Sequence, residues 1–193
     1  MKIAVLAVQG AFAEHIDKLK KLGADCIELR QASDLEQDFA GLILPGGEST
    51  VQGKLLRELH MFEPLRERIR HGLPVLGTCA GLILLAQEIS NDENLYFGTL
   101  PVRVRRNAYG RQLGSFHTEQ DFAGVGRVPM TFIRAPYIES VLDRDRTEIL
   151  ATVENRIVTV RCGNQIGIAF HPELDEDDRI HEMFLGMCGD GTQ

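Results

Sequence analysis

Continuous apolar runs, each followed by text with helical spacing, alternate through the first half of the chain. "KIAVLAV" (2–8) is apolar at nearly every position, the pattern of a strand covered on both faces. "AFAEHIDKLKKL" (11–22) carries Phe12, Ile16 and Leu19 on one helical stripe and stops at Gly23, a residue suited to a helix C-cap. "DCIELR" (25–30) and "GLILP" (41–45) read as the second and third strands. A turn, "GGEST", then opens helical text that runs to about residue 71 with a break near Pro64. "LPVLG" (73–77) is a fourth strand and "AGLILLAQEI" (80–89) a further helix. Parallel strands need crossover helices, so this rhythm predicts an α/β fold: a mostly parallel central sheet with helices on both faces.

The second half changes character. "PVRVRR", "MTFIRAP", "EILATV", "RIVTVRC" and "QIGIAF" are short strand candidates, expected to add antiparallel hairpins before a last helix, "DDRIHEMFLGM". No repeat, low-complexity stretch or linker interrupts the text, so residues 1–193 read as a single domain, long enough for a substantial core.

The balance of 21 basic against 28 acidic residues, net −7, argues against nucleic acid as a partner. The apolar opening is too short for a signal peptide or a membrane span, so the expected compartment is the cytoplasm and no membrane partner is expected. Four cysteines lack any C-x-x-C pair, which leaves no zinc or thioredoxin-like site and predicts no bound metal. Cys26, Cys162 and Cys188 sit in text where a thiol acts as a small hydrophobe. Cys79 does not.

Cys79 falls where the fourth strand gives way to a helix, in "GTCAG", which has the form of a nucleophile elbow with sulfur replacing oxygen. Gly77 and Gly81 would remove side chains that a sharp strand-to-helix turn cannot hold. The thiol would stand at a helix N-terminus, whose partial positive charge favours thiolate, with the Ala80 N–H placed to meet an oxyanion. A packing cysteine at a tight turn is the plainer account of the elbow alone. It weakens once a base is found. Of six histidines, His15, His60, His71, His117 and His181 lie among charged residues and read as solvated. His171 instead ends the apolar strand "IGIAF", followed by Pro172 and Glu173, so an imidazole and an orienting carboxylate would share the sheet's rim with Cys79. "LPGGEST" supplies bare backbone N–H groups around Gly47 on the same edge, and it lacks the lysine of a phosphate loop. An ordinary loop with Ser49 as an N-cap would also account for it.

Together these motifs resemble the class I (triad) glutamine amidotransferase family. "AVQGAFAEH", "LILPGGEST", "GTCAGLILLA", "RNAYGRQ", "FIRAP" and "FHPEL" are similar to the glutaminase subunits of pyridoxal 5′-phosphate synthases, over essentially the whole chain. The resemblance implies a catalytic triad of Cys79, His171 and Glu173 acting on L-glutamine. It implies an oxyanion site at the N–H groups of Ala80 and Gly47. Substrate binding would fall to Gly47, Glu48, Ser49, Arg106, Ile133 and Arg134, although strand alternation does not by itself choose between Arg105 and Arg106. No cofactor is implied. The implied partner is a (β/α)8-barrel synthase subunit that takes the ammonia through a channel within a large ring complex. A glutaminase of another pathway, a γ-glutamyl hydrolase, or a non-catalytic thiol sensor on the same fold are the competing readings.

Overall fold

The computed structural model describes residues 1–107 and 115–190, the Asp190 side chain excepted. The "AYGRQ" portion of the motif that begins at Arg106 therefore lies outside the described residues.

Twelve strands are found among the described residues: β1 Lys2–Leu6, β2 Asp25–Leu29, β3 Gly41–Leu44, β4 Val75–Thr78, β5 Ala86–Ile89, β6 Leu100–Arg105, β7 Ser115–Phe122, β8 Gly126–Ile133, β9 Tyr137–Val141, β10 Thr147–Val153, β11 Arg156–Cys162 and β12 Gln165–Ile168. Five α-helices accompany them: α1 Phe12–Lys21, α2 Ser49–Glu58, α3 Phe62–Arg70, α4 Ala80–Leu85 and α5 Arg179–Asp190. The main sheet runs β2-β1-β3-β4-β12-β11-β9-β6-β5, with β10 added to β11, and β7 and β8 form a separate hairpin.

The first five strands in that order are parallel. Ile3, Ala4, Val5 and Leu6 have no exposed surface, as a strand sandwiched between helical layers requires. The step from β1 to β2 runs one way along the sheet and the step from β3 to β4 the other. Right-handed crossovers then put α1 on one face and α2 and α3 on the opposite face. Between β1 and β3 the direction of winding reverses, and a crevice opens there at the carboxyl ends of the strands. β12 inserts beside β4 in parallel register, Ile168 opposite Thr78, so the last strand brings its following residues to the same rim.

Three local expectations differ from the structure. The helix after Cys79 ends at Leu85 rather than continuing to 89: Ala86 turns extended (φ −58°, ψ 139°) and residues 86–89 pair with β6 instead. The break in the second helical stretch falls at His60, whose φ is +57°, not at Pro64. Pro64 sits in the first turn of α3, where a missing N–H costs nothing because that donor has no intrahelical acceptor. β7 carries too few apolar residues to announce itself as a strand, burying only Phe122 fully, and β9 is a five-residue strand that buries only Ile138.

Candidate active site

Cys79 occupies the sharp junction of β4 and α4 with φ 50° and ψ −101°, a backbone region that L-residues avoid. The cost is of the order of 1–3 kcal/mol. Close packing enforces it. A methyl at Gly81 would lie 2.0 Å from the Leu44 carbonyl oxygen, and one at Gly77 would lie 2.7 Å from the Gly81 backbone, so only glycines let α4 press onto β3 and β4. The Cys79 N–H is held by the Ile168 carbonyl at 2.7 Å, which locks the elbow to β12.

His171 follows three residues after the end of β12, and its own N–H bonds the Thr131 carbonyl of β8 at 2.8 Å. Its Nδ1 meets Glu173 Oε1 at 2.6 Å, because Pro172 starts a single 3-10 turn that folds Glu173 back under the ring. The Cys79 thiol is close enough to the ring to raise its proton affinity. Gly46 lies against both: a methyl there would stand 2.4 Å from His171 Cε1 and 3.4 Å from Cys79 Cβ. Sulfur, imidazole and carboxylate so chained can carry out nucleophilic acyl transfer.

Burial works to lower the His171 imidazole, but hydrogen bonds to Cys79 and Glu173 and their charges raise it overall, to about 10. Glu173 is opposed by burial, yet His15 and then His171 hold its carboxyl below the ordinary value. Both directions favour the ionised base–carboxylate pair.

A cleft of about 240 Å³ opens above Cys79 and His171. Its walls include Gly47, Glu48, Ser49, Arg106, Ile133 and Arg134, so the structure brings all the residues expected to bind substrate to one place. Ala80, first in α4, sits directly behind the thiol with an N–H that helix geometry leaves without an intrahelical acceptor. Of the neighbouring arginines, Arg105 pairs with Glu139, whereas Arg106 lines the cleft and its guanidinium pairs with Asp92. Arg134, at φ +43°, faces Glu48 at 3.4 Å across the mouth. Ser49 is not the N-cap of α2; Glu48 holds that position without a side-chain bond, and the Ser49 hydroxyl is buried with no partner among the described residues.

The sequence reading had not singled out Gln9, Gly10, Ala11, Ile83 or Asn107, which also line the cleft. Gln9 accepts from the Glu48 N–H at 2.8 Å, and Ala11 N–H bonds the Gly46 carbonyl at 3.0 Å, so the loop after β1 braces the loop after β3. Two of the histidines expected in solvent are instead fully buried: His15 in α1 and His181 in α5. His60, His71 and His117 are exposed as expected.

A family model described as the SNO glutamine amidotransferase family matches residues 5–190. The chain belongs to that family. The pyridoxal 5′-phosphate synthase subunit PdxT of Desulfitobacterium hafniense (strain Y51) is 67% identical over 191 residues, 99% of this chain and 95% of that one. The subunit of the same name from Streptococcus pneumoniae (strain TIGR4) is 56% identical, covering 97% and 98%. A crystal structure of a glutamine amidotransferase superposes with a TM-score of 0.91 at 42% identity over 97% of this chain and 98% of that one. The amidotransferase architecture thus accounts for the mostly parallel sheet and its added antiparallel strands. Among the described residues no helix is long and apolar enough to cross a membrane.

The titrations of this family member's buried histidines have opposite signs. His171 is raised, so it stabilises the fold below pH 6.5 and that contribution is lost as pH rises toward about 10. His15 and His181 are lowered, chiefly by burial; His15 and Lys18 push His181 down further, to about 2, against Asp178. Glu173 and Glu14 oppose the shift at His15, while His171 and Lys18 reinforce it. The folded chain keeps these two neutral while the unfolded chain binds protons below 6.5, so stability falls as pH falls. The melting temperature is therefore expected to peak near pH 6.5 and drop on both sides. In His171→Gln the alkaline drop should shrink, and in His181→Gln the acid drop should. Calorimetric scans between about pH 5 and about pH 9 check this; unchanged slopes in both variants would refute it.

Proposed function

We propose that this chain, as one glutaminase domain spanning residues 1–193, hydrolyses L-glutamine to L-glutamate and ammonia and supplies the ammonia to a pyridoxal 5′-phosphate synthase. The observation that carries the reading is the strained Cys79 elbow joined to the His171–Glu173 pair, 2.6 Å apart, beneath an amino-acid-sized cleft. The naming of relatives 56–67% identical over nearly the full chain supports the pathway.

In this mechanism His171 holds the proton given up by the Cys79 thiol, the imidazolium form its raised proton affinity favours, and the sulfur attacks the side-chain amide carbon. The tetrahedral oxyanion is met by the N–H groups of Ala80 and Gly47. Collapse expels ammonia as His171 returns the proton to the leaving nitrogen, leaving a γ-glutamyl thioester. Water then attacks that thioester, giving up a proton to His171, and glutamate leaves as the thiol is restored. Glu173 holds the imidazole in the tautomer this requires. The substrate's α-carboxylate suits Arg106 and Arg134, its ammonium suits Glu48, and the partnerless Ser49 hydroxyl supplies a further polar contact. Ile133 forms the apolar wall. The ammonia passes to a (β/α)8-barrel synthase subunit in a ring complex, and the place of action is the cytoplasm, where four free thiols persist.

The test is glutamate release from L-glutamine with and without that synthase subunit. Release that rises with the subunit supports the whole reading. Release indifferent to it would keep the glutaminase and reject the pathway, and no release in either mixture would reject both. A glutamine-like electrophile should label Cys79 selectively, with protection by glutamine, which a thiol sensor would not show. Arg134 and Glu48 form an exposed pair that is worth little to the fold. Arg134→Ala is accordingly expected to raise KM for glutamine about tenfold with the melting temperature within about 2 °C of the parent. An unchanged KM would remove Arg134 from the binding site.

A further inference from the structure

The proposed mechanism leaves two buried histidines without a task. His15 and His181 have no exposed surface, though each stands on a different helix far apart in sequence. They meet because Lys18 of α1 donates to the Asp178 carboxylate at 2.8 Å and to the Asp177 carbonyl at 3.2 Å, just before α5. His15 Nδ1 lies 2.9 Å from His181 Nε2. His15 Nε2 lies 3.1 Å from Thr78 Oγ1 and 3.4 Å from Glu173 Oε2. Glu173 spends Oε1 on His171, and its buried Oε2 has no hydrogen-bond partner among the described residues, with His15 Nε2 the nitrogen that stands 3.4 Å from it.

We propose that His15 is a positioning residue for Glu173, directing its Nε2–H at the free carboxylate oxygen, and that His181 fixes this tautomer by donating its own Nε2–H to His15 Nδ1. The tautomers follow from what each alternative would bury. If His15 carried its proton on Nδ1, a nitrogen lone pair would face an ionised carboxylate oxygen at 3.4 Å. His181 would then hold its proton on Nδ1, an atom with no partner among the described residues. The proposed arrangement replaces that repulsion with a donor toward the anion, and it leaves only an acceptor lone pair of His181 unmatched. Burial keeps both rings neutral, so each has one proton to place. Thr78 shares the His15 donor and immediately precedes Cys79, so one imidazole braces the carboxylate and the base of the elbow together. The chain of contacts then runs from Cys79 through His171 and Glu173 to His15 and His181.

The assignment rests on the glutaminase reading, and its test separates the two. Glutamate release is measured with the synthase subunit present for the parent, Cys79→Ala, His15→Phe and His15→Gln. Phenylalanine fills the space without a donor; the glutamine amide restores one near the position of Nε2. His15→Phe is expected to lower kcat about tenfold or more with KM within about twofold, and His15→Gln to recover to within about threefold of the parent. In a Glu173→Ala background the same His15→Phe change should cost less than about twofold, because the group it acts through is gone. Equal losses in both His15 variants, a KM that rises in step, or the same loss in the Glu173→Ala background would overturn the proposal. Should His15→Phe not fold, His181→Phe and His181→Gln give the same contrast one link along. If the parent is no more active than Cys79→Ala, the glutaminase reading is what falls. The downfield proton of the His171 Nδ1–Glu173 bond then decides: it should move in His15→Phe and return in His15→Gln, and a fixed resonance would overturn the assignment.

Discussion

Replacing Cys79 with alanine is expected to reduce glutamate release by at least about 10³-fold, the scale on which removal of a covalent nucleophile acts. Folding should survive, because alanine fills most of the same space and keeps the same backbone. Cys79→Gly sharpens the test. The residue sits at φ 50°, ψ −101°, where glycine carries no Cβ penalty. That variant should be equally inactive and yet more stable by about 1 kcal/mol, which raises the melting temperature by about 2–4 °C. Higher stability with lost activity would mean that the strain is retained for the sake of the thiol's position. A Cys79→Gly variant that melts lower than the parent would show that the elbow is relaxed in this chain, and residual glutaminase activity in Cys79→Ala would move the nucleophile elsewhere.

Gly81→Ala is expected to produce the largest loss of stability of any single methyl addition considered. The new Cβ would stand 2.0 Å from the Leu44 carbonyl oxygen and 2.8 Å from its carbonyl carbon, both backbone atoms of the central strand β3. Neither can rotate aside, so α4 must lift from the sheet. Overpacking of this kind costs about 3 kcal/mol or more, a fall of roughly 6–12 °C in a chain of this size. Gly186→Ala is the control: it lies within α5 with nothing inside 4 Å of the added methyl, and it should stabilise by about 0.5–1 kcal/mol. Thermal melts of the two variants side by side read the difference. A Gly81→Ala protein that melts with the parent would mean that the β4–α4 junction tolerates more space than its packing indicates.

The elbow and the His171-Pro172-Glu173 turn were legible in the sequence because each needs particular residue types at fixed spacing on a strand end. Gly77 and Gly81 bracket the thiol, and Pro172 stops the strand where the base must stand. The parallel core was legible for the same reason: β1 after Lys2, β3, and β4 up to Thr78 are continuous apolar runs. Where local text was ambiguous, tertiary pairing decided. "AGLILLAQEI" is a sound helix on its own, yet β6 claims its second half as a strand partner. His15 was misjudged by its charged neighbours. Its position carried a better signal, since 12, 15, 16 and 19 lie on one helical face and Ile16 and Leu19 are core residues. His181 stands beside Ile180 and in step with Phe184 and Cys188, on the buried side of α5. A histidine on an apolar stripe has to find a polar partner inside, and only the assembled fold reveals which. Gln9 and Asn107 were out of reach for the same reason, because the cleft brings together segments about a hundred residues apart in the sequence.

The strand that delivers the base, β12, is the last in sequence among the described residues and fits between β4 and β11 in the middle of the sheet. A nascent chain emerging from the ribosome therefore holds β4 as an open, mostly apolar margin until residues 165–168 arrive. Until then the elbow lacks both the Ile168 carbonyl that anchors Cys79 and the imidazole that activates it. The reactive thiol is thus armed only once residues 165–173 have joined the sheet, and chains that lack them carry a sticky edge and no active site, which favours aggregation over unregulated chemistry.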